Sequence, residues 1–298
     1  MTRRRAVLVV GYLSIDTIET PAGRFGPVPG GAALYAALGA LAAEAVTPCV
    51  AAAVGDDYPA AWLEALAAKG VDLARVERRP GPSRTARITH AQDGARASPH
   101  HRDPQWWART VALAPTIPAD AGSFGAIAAC PMPVERLEAL LDAAGDARVL
   151  VDTSEAFAGA DTARFLALAP RMSVLAASRE ETRLLLPDSD DEDAVIQLAS
   201  LGCCVLQKRG REGAAAAMAG SSRLTQFGAP TGVEALDPTG AGDAVLGAMA
   251  AGLAGGSPFL DLIEGAMRVG GRAVSGRGPA GLGLDLSPTV AQSLAETA

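Results

Sequence analysis

The feature that most restricts the fold is a set of short runs with no polar interruption. They are residues 6–10 (AVLVV), 49–54 (CVAAAV) and 126–130 (AIAAC), with the apolar centres of 148–152 (RVLVD), 173–177 (SVLAA) and 203–207 (CCVLQ). A strand with one wet face alternates polar and apolar residues, whereas a run without alternation is buried on both faces, as in a parallel sheet. Helical patterns separate the runs, over residues 32–43, 59–69, 133–144, 162–169 and 192–201. Strand and helix in alternation predict an α/β layered fold with right-handed crossovers. Helices close the chain: one over 243–253, one with Ser257 as cap and Pro258 as its first residue, and a last one after Ser287. With 298 residues and 49% hydrophobic content, one domain spanning 1–298 can bury a large core.

Two segments break this rhythm, 16–28 (DTIETPAGRFGPV) and 84–107 (RTARITHAQDGARASPHHRDPQWW). Both are polar, alternating or turn-rich, and too long for ordinary βα connections. They read as excursions of short antiparallel strands that cover the sheet edge, inserted in the one domain. Trp106 and Trp107 are adjacent, so in a strand they would point opposite ways; packing is the expected role of both.

A net charge of −7 provides no basic stripe, so nucleic acid is not an expected partner. Arg3, Arg4 and Arg5 before AVLVVGYL imitate a secretory signal, but the run stops at Ser14 and Asp16 without a small-residue cleavage site. The longest apolar or small segment, 30–43, falls short of the ~20 residues a membrane-spanning helix needs. The expectation is a cytoplasmic protein without a membrane partner. Cys49, Cys130, Cys203 and Cys204 lie in or beside apolar runs and form no CxxC, which predicts buried thiols rather than disulfides or zinc ligands. His100 and His101 lack a third ligand at a familiar metal spacing and read as a polar loop.

The chemistry is concentrated in DPTGAGDAVLGAMAAGL, residues 237–253. Its first half is rich in helix breakers and its second half is small and apolar, so a loop becomes a buried helix near Asp243. A glycine loop opening a helix gathers free amides at the positive end of the helix dipole, where phosphate binds. Neither common phosphate loop fits. The dinucleotide pattern GxGxxG meets Val245 at its third glycine, and the P-loop pattern meets Ala248 and Met249 in place of Lys and Ser or Thr. What remains is an anion hole around Gly240, Ala241 and Gly242 with a carboxylate, Asp243, one residue farther on. Taken alone, Asp243 serves equally well as a helix cap.

TGAGDAVLGAMAAGL after Asp237-Pro238 resembles the C-terminal signature of the PfkB (ribokinase-like) carbohydrate kinases. Other matches follow in order: VVGYLSID, with Asp16; PGGAALYAALGALA, with Gly30 and Gly31; AVGDD at 53–57; ASREETRLLL at the N-x-x-E segment; and VLQKRGREGA. The resemblance implies a ribokinase-like three-layer α/β sandwich with a mostly parallel sheet and a small β lid. It implies transfer of phosphate from ATP, with Mg²⁺ and room for a monovalent cation, to a hydroxyl of a small sugar, polyol or sugar-like substrate, in a protein with scope to form a homodimer. Asp243 becomes the general base, and Gly240, Ala241 and Gly242 the anion hole. Asp16, Gly30, Gly31 and Tyr35 fall to the substrate, Lys208, Gly210 and Thr239 to the nucleotide, and Glu181 to the hydration shell of the metal. Tyr35 stands where most members have Asn, and Ser178 replaces the Asn of N-x-x-E. A nucleoside kinase of the same fold, or a silent nucleotide- or sugar-binding protein, are the alternatives; intact Asp243 argues against silence.

Overall fold

The computed structural model describes residues 6–20, 23–43, 46–90, 96–97 and 103–286. The expected helix after Ser287, the arginines at 3–5 and the paired histidines at 100–101 lie outside the described residues. The chain begins β1 (Val7–Val10), β2 (Ser14–Thr20), β3 (Gly23–Gly30), α1 (Ala32–Ala43), β4 (Pro48–Val54), α2 (Ala60–Ala68), β5 (Asp72–Arg78), β6 (Thr85–His90), β7 (Arg96–Ala97) and α3 (Pro104–Ala112). It continues β8 (Ala126–Ala129), α4 (Val134–Ala143), β9 (Arg148–Val151), α5 (Glu155–Ala158), α6 (Thr162–Ala167), β10 (Val174–Ser178), α7 (Arg179–Leu185) and α8 (Asp191–Ser200). It ends β11 (Cys204–Lys208), β12 (Ala214–Ala217), β13 (Leu224–Phe227), α9 (Ala241–Ala254) and α10 (Phe259–Val274).

Among the described residues, nine strands form one sheet in the order β13-β12-β11-β10-β9-β8-β1-β4-β5. It is parallel from β11 to β5, and β12 and β13 extend it antiparallel. Each apolar run divides its side chains between two cores. Val7 and Val9 join a core with α1, α2, α9 and α10, whereas Leu8 and Val10 join another with α4 and α8. Helix, sheet and helix therefore make three layers, and burial on both faces explains why the strands lack alternation.

The lid is a second sheet of order β3-β2-β6-β7. β2 runs antiparallel to β3 but parallel to β6, and β7 returns antiparallel, so the cover is mixed where antiparallel strands alone were expected. Its second excursion also ends in a helix. Asp103 caps α3 by accepting the Gln105 amide at 2.9 Å, Pro104 sits at the first turn, and Trp106 and Trp107 therefore lie on α3 rather than on a strand. The Arg84 guanidinium stands 4.5 Å from the ring centres of both Tyr12 and Trp106, and both tryptophans pack on Phe157.

Smaller departures have local causes. Pro258, expected as the first residue of α10, is the extended residue before it at ψ 146°. β5 is a charged edge strand and β12 is four alanines, so neither carries an apolar periodicity to read. All four cysteines are free; Cys49, Cys130 and Cys203 are buried and Cys204 is half-buried. No helix among the described residues is long and apolar enough to cross a membrane.

α1 and α9 cross in direct backbone contact. A Cβ on Gly247 would collide with the Ala36 carbonyl, and one on Gly39 with the Ala244 carbonyl. This crossing sets the start of α9 against α1, close to the edge where the parallel strands end. In α/β sheets ligands bind outside that carboxyl edge.

Candidate active site

The loop into α9 is tied down by Asp237, whose side chain is fully buried. Its Oδ1 accepts the Thr239 amide at 3.0 Å and its Oδ2 the Gly278 amide at 2.8 Å. The Leu236 and Asp237 amides both donate to the Val274 carbonyl. The chain then turns through Gly240, in the left-handed region at φ 76°. A Cβ there would collide with the Tyr35 ring, so that ring, 2% exposed, forms a floor under the turn. Asp243 is half-buried in the first turn of α9. First-turn amides have no partner within their helix, and the dipole adds positive potential there. The Ala241 amide turns back to the Pro238 carbonyl at a long 3.4 Å. This end of α9 is suited to an anion.

A buried cation faces it. Lys208, the last residue of β11, reaches past the end of β10 to the Asp152 carboxylate, just beyond β9; their side chains are 16% and 3% exposed. Burial alone would lower the lysine, but Asp152, then Glu181 and Asp243, hold it above its ordinary value, so the ammonium is charged. Glu181 is held by a reciprocal cap. The Ser178 hydroxyl accepts the Glu181 amide at 3.2 Å, and the Glu181 carboxylate accepts the Ser178 amide at 2.6 Å. Burial first, and the charge of Asp152 next, push Glu181 up to about 7. Ser178, at the position where the resemblance implies Asn, thus has a local role in starting α7.

At the lid end, Asp16 is 2% exposed and accepts the Ser14 hydroxyl at 2.6 Å. Gly30 makes room for it, since a Cβ there would overlap the Asp16 carboxylate. Gly31, at φ 95°, turns the chain into α1, which carries Tyr35 to Gly240. The lid also touches the loop before α9: His90, ending β6, has Nε2 2.8 Å from the Thr239 hydroxyl and 3.7 Å from Asp237 Oδ1.

The structure thus brings Gly30 to Asp16, Tyr35 to Gly240, and Lys208 to Gly242 beside Asp243 and Glu181. Gly210 stays apart on an exposed turn, with nothing among the described residues within 4 Å of a Cβ built there. Asp152, Asp237 and His90 were not singled out from sequence. Asp152 had a signal, a carboxylate closing an apolar strand; His90 had none, because its partner lies 149 residues away.

The sequence profile described as pfkB family carbohydrate kinase matches residues 4–284. A cytidine kinase of Thermococcus kodakarensis (strain ATCC BAA-918 / JCM 12380 / KOD1) is 29% identical over 262 residues, 87% of this chain and 92% of that protein. Among solved structures, a ribokinase of Cryptococcus neoformans var. grubii serotype A in complex with ADP superposes with a TM-score of 0.75 at 19% identity, covering 98% of this chain and 99% of that one. A nucleoside kinase of Burkholderia thailandensis in complex with inosine gives 0.74 at 18% identity and 92% of each chain. The fold is ribokinase-like.

Proposed function

The chain belongs to the pfkB family of carbohydrate kinases, and we propose that it is an ATP-dependent kinase acting on a hydroxyl of a small sugar, polyol or sugar-like compound. The observation that carries this reading is Asp243 in the first turn of α9 beside a charged, buried lysine. Asp243 takes the hydroxyl proton as the substrate oxygen attacks the γ-phosphorus; the bond to the β-phosphate oxygen breaks and ADP leaves. Charge building on the transferring group meets the amides at Gly240, Ala241 and Gly242 and the Lys208 ammonium, with Thr239 and Gly210 serving the nucleotide. Such transfer depends on positioning and neutralisation more than on covalent chemistry.

Among the described residues no three His, Cys, Asp or Glu side chains converge as a direct metal set. The half-buried carboxylate of Glu181 fits a role through water, where a nearby cation would favour its charged form. Mg²⁺, when bound with the nucleotide, supplies further neutralisation of phosphate charge. Asp16, with Gly30 and Gly31 leaving the backbone open beside it, is suited to accept from two substrate hydroxyls.

The second reading is a nucleoside kinase, favoured by the similarity to a cytidine kinase. An ADP-release screen over free sugars, sugar acids, sugar phosphates and nucleosides separates the two. Turnover confined to nucleosides replaces the first reading by the second, and a protein that binds ATP but turns over nothing on the panel overturns both. We place the protein in the cytoplasm and leave a homodimer open to measurement by light scattering.

A further inference from the structure

Lys208 is held in an unusual way. Its strand, β11, pairs with β10, with Ser178 opposite Lys208, and β10 pairs in turn with β9. The ion pair with Asp152 therefore spans the end of an intervening strand. Asp152 is rigidly set: its amide donates to the Ala129 carbonyl at 2.9 Å, its Oδ1 accepts the Thr153 amide at 2.9 Å, and its Oδ2 accepts the lysine. The lysine side chain lies along Gly242. A Cβ built there would stand 3.0 Å from Nζ, 3.6 Å from Cε and 3.7 Å from Cδ, so the second glycine of the loop leaves room for this ammonium.

Three carboxylates act on Lys208, those of Asp152, Glu181 and Asp243; Asp152 takes its hydrogen bond. A buried ion pair is weak as a device for stability, because desolvation consumes much of the attraction. Its place at the anion site gives it a different use. An ammonium has three donors, and one spent on Asp152 leaves two for an anion. Were the ammonium to settle on Asp243, it would occupy the lone pairs that must receive the hydroxyl proton.

We propose that Asp152 is a positioning residue for phosphoryl transfer: it fixes the Lys208 ammonium across Gly242, where the charge meets the transferring phosphate and stays off Asp243. This rests on the kinase reading above. Asp152 acts only through Lys208, so the two residues form one functional unit.

The experiment compares Asp152→Asn, Lys208→Met and the double variant with wild type, by steady-state kinetics and by calorimetric binding of ADP and of a non-hydrolysable ATP analogue. Asp152→Asn is expected to lower kcat by about 10- to 100-fold while the KM of the acceptor holds, somewhat less than removal of a transition-state donor outright. The double variant should be no slower than Lys208→Met, because a pair acting as a unit is not additive. The double variant removes both members of the ion pair, so neither is left facing a neutral partner, and this last equality is readable even if Asp152→Asn alone fails to fold. Losses that multiply in the double variant, or wild-type turnover by folded Asp152→Asn, overturn the proposal. Binding separates it from the kinase reading. Wild type should prefer the ATP analogue to ADP and both single variants should lose most of that preference, whether or not any acceptor is turned over; an unchanged preference in Asp152→Asn overturns the proposal even where wild-type turnover upholds the kinase.

Discussion

The end of the site to which phosphoryl transfer is assigned by proposal, the phosphoryl end, and the lid end are held by different means. At the phosphoryl end, Asp152 and Lys208 stand at the carboxyl edge of the main sheet, and α9 is pressed onto α1 through Gly39 and Gly247. Charges there are buried and fixed by strands packed on both faces. The lid is a narrow sheet whose ion pairs are open to solvent: Glu19 with Arg87 and Arg24, the arginines being 60% and 67% exposed. Its inner face is limited to a few buried groups, among them Asp16, Ile18, Ile88 and His90. Surface ion pairs contribute little, so the lid depends more on what it closes against. On the kinase reading proposed above, the difference gives chemistry to the buried frame and substrate capture to the more open cover, with His90 joining them.

The strongest way to break this division is Asp243→Asn, which keeps the shape of the side chain and deletes the proton acceptor. kcat should fall by roughly 10²- to 10⁴-fold with ATP binding largely retained. A well-folded variant with full turnover would reduce Asp243 to a cap and leave the frame without its chemistry.

A second test addresses the cost of burying charge in the frame. Glu181 is pushed from its usual 4.5 up to about 7, so the folded protein binds this proton more readily than the unfolded chain. Stability therefore falls as pH rises through that interval, and the loss is complete above the folded value; its size is on the order of 3 kcal/mol. Glu181→Gln can still cap α7 and has no proton to lose. Its melting temperature should pull ahead of wild type as pH goes from about 5 to about 8. Parallel curves would mean that Glu181 is not desolvated in solution.

The mildest effect is expected at the joint between lid and frame. His90→Ala removes the contact to Thr239 and should raise the acceptor KM several-fold, about 1 kcal/mol for a lost hydrogen bond, with a smaller change in kcat. His90→Gln, which can still reach the hydroxyl, should recover part of it. A loss confined to kcat would place His90 with the chemistry and blur the comparison.

Much of this protein follows from its sequence alone. The apolar runs at β1, β4, β8, β9, β10 and β11 announce a sheet buried on both faces, and α1 spans residues 32–43 as its pattern predicts. The loop before Asp243 is equally legible, because a glycine-rich turn feeding a small apolar helix is written in consecutive residues. α3 shows a legible signal that was outweighed: Asp103-Pro104 is a helix start, but the polar rhythm around it suggested strands. β12 could not be read at all, since four alanines favour a strand only when neighbouring strands claim them. The tertiary structure alone decided the partners of the charged groups. Lys208 meets Asp152 across 56 residues because β9 and β11 flank β10, and His90 meets Thr239 because the lid closes over the loop. Local order depends on backbone geometry and on the spacing of apolar side chains, which a sequence displays; pairing between distant side chains depends on strand order and helix packing, which exist only once the core has assembled.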